Sequence, residues 1–539
     1  MEPVRSSFGI ELEGYVAWVE QDIEFQNPSP YEWNPSAGPL VLPAGVGDLR
    51  PFQRGGFVRN PIEDIVYRHL NIVVEGILAS LPIRNNDHLV ADPDITAINL
   101  EMDGKGHMQT YRRWSVKREY LDVRGRIPAP LLKSWSGHGR GWVGFELCSP
   151  AMWAVDASFE EVRDVIRRLN DSIWLLTPYN CGFHVHYGNG YEWIPLGPLR
   201  RMAGLFYAAD ALLVQLHPEI RRTYSYCRSN VMYSQLSHGA TAADAHRLRR
   251  PQFIREETAP NEEHIPVREE EPVEAHEQPR PNGREPCCCW PSNFDRRPVS
   301  APQEEPVVNP NARPSMRRES LGVWRRSLNI RRGNLATYPF DHPTFEELFD
   351  SSNIVHRKLH QSKGSPPSYP SAHMPILDGV REILKVTSSQ EVDTLIDPEL
   401  EERPAYNFQH YSGFKSWEGA PEKRTVEFRQ AAAIFHGDIV SAWVRICVGL
   451  SEWAATAPLS EYMKVIHDCA IAAETQLEGS WDDPAWYDAF DLLAEIGLVN
   501  EGKIMYQFCQ WNSDRLRRGG MPCVGESIAR FIPEPTSTP

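Results

Sequence analysis

Four segments of this 539-residue chain have the β-branched and aromatic make-up of strands, yet carry charged or metal-capable side chains inside them. They are GIELEG with Glu11 and Glu13, GFELCSP with Glu146, CGFHVHYG with His184 and His186, and TVEFRQ with Glu427 and Arg429. In three of the four, the polar residues stand two apart. Residues i and i+2 of a strand share a face, so Leu12, Val185 and Phe428 point one way and their polar neighbours the other. A sheet built from such segments has one acidic face. Carboxylates grouped on a buried sheet face are costly unless cations neutralise them, which makes a divalent metal the natural companion.

Carboxylates with an imidazole suit Mg²⁺ or Mn²⁺, ions that prefer oxygen and commonly hold substrate phosphates. Arg429, beside Glu427, adds a planar fork suited to phosphate or carboxylate. Metal, phosphate and anion clamp together suggest phosphoryl transfer. Each segment alone has a plainer reading: ELE as a solvated face, HVH as imidazoles packed in a core, EFR as an ion pair. Four in one chain are harder to dismiss.

The rest of the chain sets the frame. Asp and Glu number 72 against 56 Lys and Arg, and the net charge of −16 repels nucleic-acid backbones and anionic membrane surfaces. The N-terminus has no basic stretch followed by an apolar one, and no apolar run of about 20 residues occurs. A cytoplasmic protein is expected. Ten cysteines lack framework or zinc spacing, so reduced thiols are expected.

Apolar periodicity vanishes between about Ser237 and Asn334, where Pro, Glu and Arg accumulate. Residues 237–335 are therefore expected to be a disordered insertion within one catalytic domain, whose parts are 1–236 and 336–535. The consecutive Cys287, Cys288 and Cys289 fall inside it and read as an accidental tract, with a metal or lipid role as the alternative. Strands are expected over Phe8–Trp18, Gly141–Ser149, Asn180–Tyr187 and Thr425–Ile434. Helices are expected over Pro61–Leu81, after a capping box of Ser158 and Glu161, over Leu199–Leu216 and Asp438–Ala455, and around Trp486–Ile496.

Two familiar nucleotide signals fail. Gly139–Gly144 (GRGWVG) fits GxGxxG but leads into a strand instead of a helix, and no GxxxxGK[ST] loop exists. Cys181 and His184 would point to opposite faces of their strand, which argues against a thiol nucleophile.

In their order, FGIELEG, FELCSP, NCGFHVHYG, the helix end HPEIRR, and TVEFRQ before a helix containing Trp443 resemble the amidoligases of fungi and bacteria. These are relatives of glutamine synthetase and glutamate–cysteine ligase. The resemblance spans most of residues 6–236 and 404–456. It implies an α+β, glutamine-synthetase-like catalytic fold: a curved, mostly antiparallel sheet with an acidic concave face and helices packed on the other. It implies metal ligation by Glu11, Glu13, Glu146, His184 and Glu427, with His186 near the nucleotide. Arg429 would contact the transferred phosphate, and Arg221 and Arg222 would be further anion contacts.

The implied reaction uses ATP and Mg²⁺ or Mn²⁺ to join a small-molecule or peptide carboxylate to an amine through an acyl phosphate. One departure stands out. Trp114–Leu121 resembles a family strand that usually carries an Asp, and Lys117, Arg118 and Glu119 replace that pattern. A metal-dependent amidohydrolase using His184 and His186, or a non-catalytic binding protein retaining the fold, are the alternatives.

Overall fold

The structure is a computed structural model, and it describes residues 6–24, 37–54, 57–81, 113–118, 135–178, 181–217, 221, 226–237, 239–248, 374–397, 403–412, 424–477 and 487–517. Its centre is a mostly antiparallel sheet. The strands are β1 (Ser7–Glu20), β2 (Ser115–Arg118), β3 (Arg140–Cys148), β4 (Gly182–Gly188), β5 (Tyr406–Asn407) and β6 (Thr425–Ala432), in the spatial order β5-β6-β4-β1-β3-β2. Every neighbouring pair along that order is antiparallel. The 14-residue β1 is the spine: Leu40–Leu42 pairs with it in parallel, Met152–Trp153 and Leu175–Leu176 antiparallel.

Helices among the described residues carry the apolar side, among them α1 (Pro61–Ala79), α2 (Asp156–Ser172), α3 (Leu196–Leu213), α4 (Ile376–Lys385), α5 (Ser389–Ile396), α6 (Gly437–Thr456), α7 (Leu459–Leu477), α8 (Ala489–Glu495) and α9 (Val499–Arg517). Side chains of β1, β4 and β6 that alternate with the acidic ones meet these helices. Phe8 stacks on Phe159 of α2 with ring centroids 4.9 Å apart, and Phe428 meets Phe206 of α3 edge-on at 4.8 Å. Each such fully buried aromatic contributes about 2–3 kcal/mol of hydrophobic stabilisation. The alternation read from sequence thus divides a helix-covered face from a polar one.

Local rules explain some of the helix starts. Asn60 accepts a hydrogen bond from the Ile62 amide ahead of Pro61, and Val66, Leu70, Val74 and Ile77 form the buried stripe of α1. The expected capping box at Ser158 is not what starts α2. That helix begins at Asp156; Ser158 turns into the core, and Glu161 accepts a 2.7 Å hydrogen bond from Trp114 Nε1. Asp488 and Asp491 do form a capping box, at the start of α8. The GRGWVG segment is a turn into β3, with Gly139 at φ 69°, a conformation that glycine adopts without strain.

The described residues within 1–250 and 328–539 belong to one unit. The folded chain continues past the expected boundary at Ser237, because Ala242–Leu248 is helical and the His246 imidazole meets Glu391 of α5 at 2.8 Å. The remainder of the expected insertion, with Cys287–Cys289, lies outside the described residues, as do Arg222 and Glu119. Among the described residues no helix is long and apolar enough to cross a membrane.

Candidate metal centre

Strand register gathers the polar residues that sequence spacing could only assign to faces. Glu11 of β1 lies opposite His184 of β4, and Glu13 opposite Glu146 of β3. His186 lies opposite Glu427 of β6, and Glu427 opposite Asn407 of β5. Directly opposed residues share a face. Four strands therefore deliver Glu11, Glu13, Glu146, His184, His186 and Glu427 to one patch. All five carboxylate or imidazole residues expected to hold metal are in it, with His186 beside them.

The patch is buried but not closed by hydrogen bonds. Glu11, His184, His186 and Glu427 are 7, 5, 5 and 4 % exposed. His184 Nδ1 stands 3.6 Å from Glu11 Oε2 and 3.6 Å from Glu427 Oε1; its Nε2 is 4.0 Å from Glu13 Oε1. His186 Nε2 is 3.4 Å from Glu11 Oε2 and 3.9 Å from Glu427 Oε1. His184 Nδ1 and His186 Nε2 are buried polar atoms without a hydrogen-bond partner. Such atoms are rare in folded proteins because desolvation without compensation is costly.

A divalent ion fits this arrangement. Two ligands each about 2.1 Å from a common ion lie about 3.0 Å apart at right angles and about 4.2 Å apart when opposite, and the observed gaps fall inside that window. Donor atoms of Glu11, His184 and Glu427 all lie within 4.8 Å of one another, as do those of Glu13, Glu146 and His184. Burial, and next the Arg429 charge, hold the His184 imidazole below its ordinary pKa, which keeps a lone pair free for a metal. Burial alone would raise the Glu427 carboxyl; Arg429, His186 and His184 outweigh it and hold Glu427 well below the usual carboxylate range. Cys148 differs. Burial, then Glu146 and Glu11, push its thiol up, so it stays protonated and donates to Glu146 Oε2 at 3.5 Å.

Neighbouring groups fix these side chains. The Gly182 amide donates to Glu13 Oε2 at 2.7 Å, Asn407 Nδ2 donates to Glu427 Oε2 at 2.8 Å, and Thr425 Oγ1 lies 3.2 Å from His186 Nδ1. The last contact leaves Nε2 as the inward nitrogen. A Cβ on Gly182 would lie 2.5 Å from His184 Nε2, so only glycine leaves room for that ring. His410 also comes within donor range of His186 and Glu427. Asn407, Thr425 and His410 escaped the sequence reading, since nothing in a two-residue strand or a short turn signals what it will pair with.

Arg429 sits at a β-bulge. Phe428 pairs with Val185 and Ala431 with Phe183, so Arg429 and Gln430 both stand against His184. The extra residue sends the two side chains apart: Arg429 bonds Glu427 through Nη1 and the Tyr226 carbonyl through Nε at 3.1 Å, while Gln430 reaches Asp210 in α3 at 2.7 Å. Arg221 plays another part than the expected anion contact. It is 1 % exposed, and its Nε and Nη2 donate to the carbonyls of Gln430 and Arg429, at 3.2 and 2.7 Å, pinning the bulge from behind. His217, from the same HPEIRR segment, packs edge-on against Trp443 at 4.3 Å, and burial and then Arg221 depress its pKa to about 3.

Residues 84–271 match the family model described as "Putative amidoligase enzyme". No curated protein and no solved structure matches the chain. The matched span holds Glu146, His184, His186 and Arg221, while Glu11, Glu13, Glu427 and Arg429 lie outside it and reach the same patch through strand register. The order of the motifs and this match agree: residues 84–271 are similar to that family.

Proposed function

We propose that this protein is an ATP- and Mg²⁺-dependent carboxylate–amine ligase whose chemistry takes place on the polar face of the sheet. The observation that carries the proposal is the pair of buried, unpartnered imidazole nitrogens, His184 Nδ1 and His186 Nε2, facing Glu11 and Glu427 beside the Arg429 guanidinium. Glu11, His184 and Glu427 would hold one ion, with Glu13 and Glu146 on its flank. When bound, Mg²⁺ supplies charge neutralisation for the ATP phosphates.

The chain's own groups do the rest. Arg429, raised further above its ordinary pKa because Glu427, Glu13 and Glu11 outweigh its burial, is a fixed cation for the phosphoryl oxygens. A substrate carboxylate oxygen attacks the γ-phosphorus, and the bond to the bridging oxygen breaks to release ADP. An amine nitrogen then attacks the acyl carbon and phosphate leaves as the amine gives up a proton. His186, held by Thr425 and lying opposite Glu427, is suited to orient the nucleotide. The predominance of carboxylates over imidazoles, with Cys148 kept protonated, favours an oxygen-seeking ion over hydrolytic zinc.

ADP release by the purified protein, with ATP, Mg²⁺ and a broad panel of carboxylic acids and amines, tests the proposal. Stimulation by one acid–amine pair, with the amide detected by mass, supports it. A folded, metal-loaded sample that releases no ADP with any pair overturns it.

A further inference from the structure

The two oxygens of Glu11 face different nitrogen groups. Oε2 lies toward the imidazoles of His184 and His186, whereas Oε1 lies 3.8 Å from Lys117 Nζ. The same ammonium is 3.7 Å from Glu146 Oε2, and its side chain is only 22 % exposed. Lys117 reaches that position because it pairs directly with Glu146 across β2 and β3, one strand beyond the Glu13–Glu146 pair. Glu11, Glu146 and Cys148 bring donor atoms within 4.8 Å of one another, so these residues outline a second place for a cation.

We infer that Lys117 is a resident counter-ion that fills this second place and restricts the protein to a single divalent ion, held on the His184 side of Glu11. The inference rests on the metal-dependent reading above and says how many ions that reading requires. Charge supports it. Glu11, Glu13, Glu146 and Glu427, set against Lys117 and Arg429, leave a formal charge of −2, which one divalent ion neutralises. A second ion would meet the ammonium at the same two oxygens, and like charges so close exclude each other. A lysine gives a permanent, undiffusible positive charge where a metal would come and go. Without it the patch carries one more uncompensated carboxylate.

Counting bound Mn²⁺ tests this, with Mn²⁺ alone as the probe and equilibrium dialysis of the full chain as the readout. The wild type is expected to hold one tight Mn²⁺ per chain. Lys117→Met, which keeps the length of the side chain and removes its charge, is expected to hold two, and adding Glu146→Gln to that variant returns the count to one. Lys117→Arg keeps the count at one. Lys117→Gln, which leaves a polar group on the four-residue strand, serves in place of Lys117→Met if that variant misfolds by circular dichroism. A wild type that holds two ions, or folded Met and Gln variants that hold one with unchanged affinity, overturns the role of Lys117 and leaves the metal reading standing. A wild type that holds none overturns both.

Discussion

Two buried polar clusters lie on opposite sides of β6, and they are built on opposite principles. On the helix side Asp210 is complete: Oδ1 accepts from Gln430 at 2.7 Å, Oδ2 from Ser229 at 2.5 Å and from the Val231 amide at 3.3 Å, and Gln430 in turn accepts from Tyr406 at 2.8 Å. On the other side, the imidazoles and carboxylates stop 3.4 to 4.0 Å short of one another. A cluster whose members satisfy each other locks an architecture; one whose members stand apart around bare nitrogen lone pairs is spaced for a guest. Both hang on the same bulge, which sends Gln430 one way and Arg429 the other.

The contrast predicts opposite consequences for substitution. Glu427→Gln and His184→Ala should cut the proposed ADP release by about a thousandfold or more while leaving the melting temperature within a few degrees. Asp210→Ala should instead destabilise the fold by about 3 kcal/mol or more, since it strands three donors, two of them buried. Equal loss of stability from both would erase the distinction. Thermal denaturation beside the ADP assay reads both.

A pH series separates the clusters next. Burial raises the Asp210 carboxyl from 3.8 to about 6, against its hydrogen bonds to Ser229, Val231 and Gln430, which lower it. Its folded pKa lies above the unfolded one, so its contribution is fully present below about pH 4 and is lost as pH rises through about 6. Relative to Asp210→Asn, the wild type should lose up to about 3 kcal/mol between those limits. Denaturant unfolding at a series of pH values measures the difference; parallel curves would show Asp210 to be indifferent to its burial.

Metal should discriminate in the other direction. Mn²⁺ at a hundred times its dissociation constant should stabilise the wild type and Asp210→Asn alike by about 2.7 kcal/mol, and His184→Ala much less. A smaller effect is expected at Gly182, where the alanine Cβ would crowd His184 Nε2. Gly182→Ala should weaken Mn²⁺ binding by about tenfold with little change in the stability of the metal-free protein. Unchanged affinity would mean that His184 turns toward the metal by another path.

The strands that bear the patch were legible because charged residues at alternate positions interrupt apolar runs, and β1, β3, β4 and β6 begin and end within a few residues of expectation. Their mutual register was not. Whether Glu427 lies beside His186 depends on which strand β4 accepts as its neighbour, a choice made by burial of Phe428 and Val185 against α3 and α6. Arg221 shows a further limit: a guanidinium that binds an anion and one that binds carbonyl oxygens carry the same sequence signal. Ser158 and Glu161 fit a capping pattern, yet the pull of the core on one and of Trp114 on the other moved the helix start to Asp156. Helix α9 went unread because Asn500, Gly502, Trp511 and Asn512 weaken its intrinsic helicity, and packing against α6 decides the matter.

Strand order has a consequence for the making of the protein. β4 has β1 on one side from the outset, but its other side waits for β6, and 239 residues separate His186 from Thr425, its hydrogen-bond partner there. At ordinary ribosome speeds that interval lasts roughly 10 to 50 s. During it, the growing chain presents an open strand edge bearing Val185, Phe183 and two uncovered histidines, the kind of edge that recruits other chains. Newly made protein should therefore depend on a chaperone, or on a transient cover from its own later residues, until the last strand arrives.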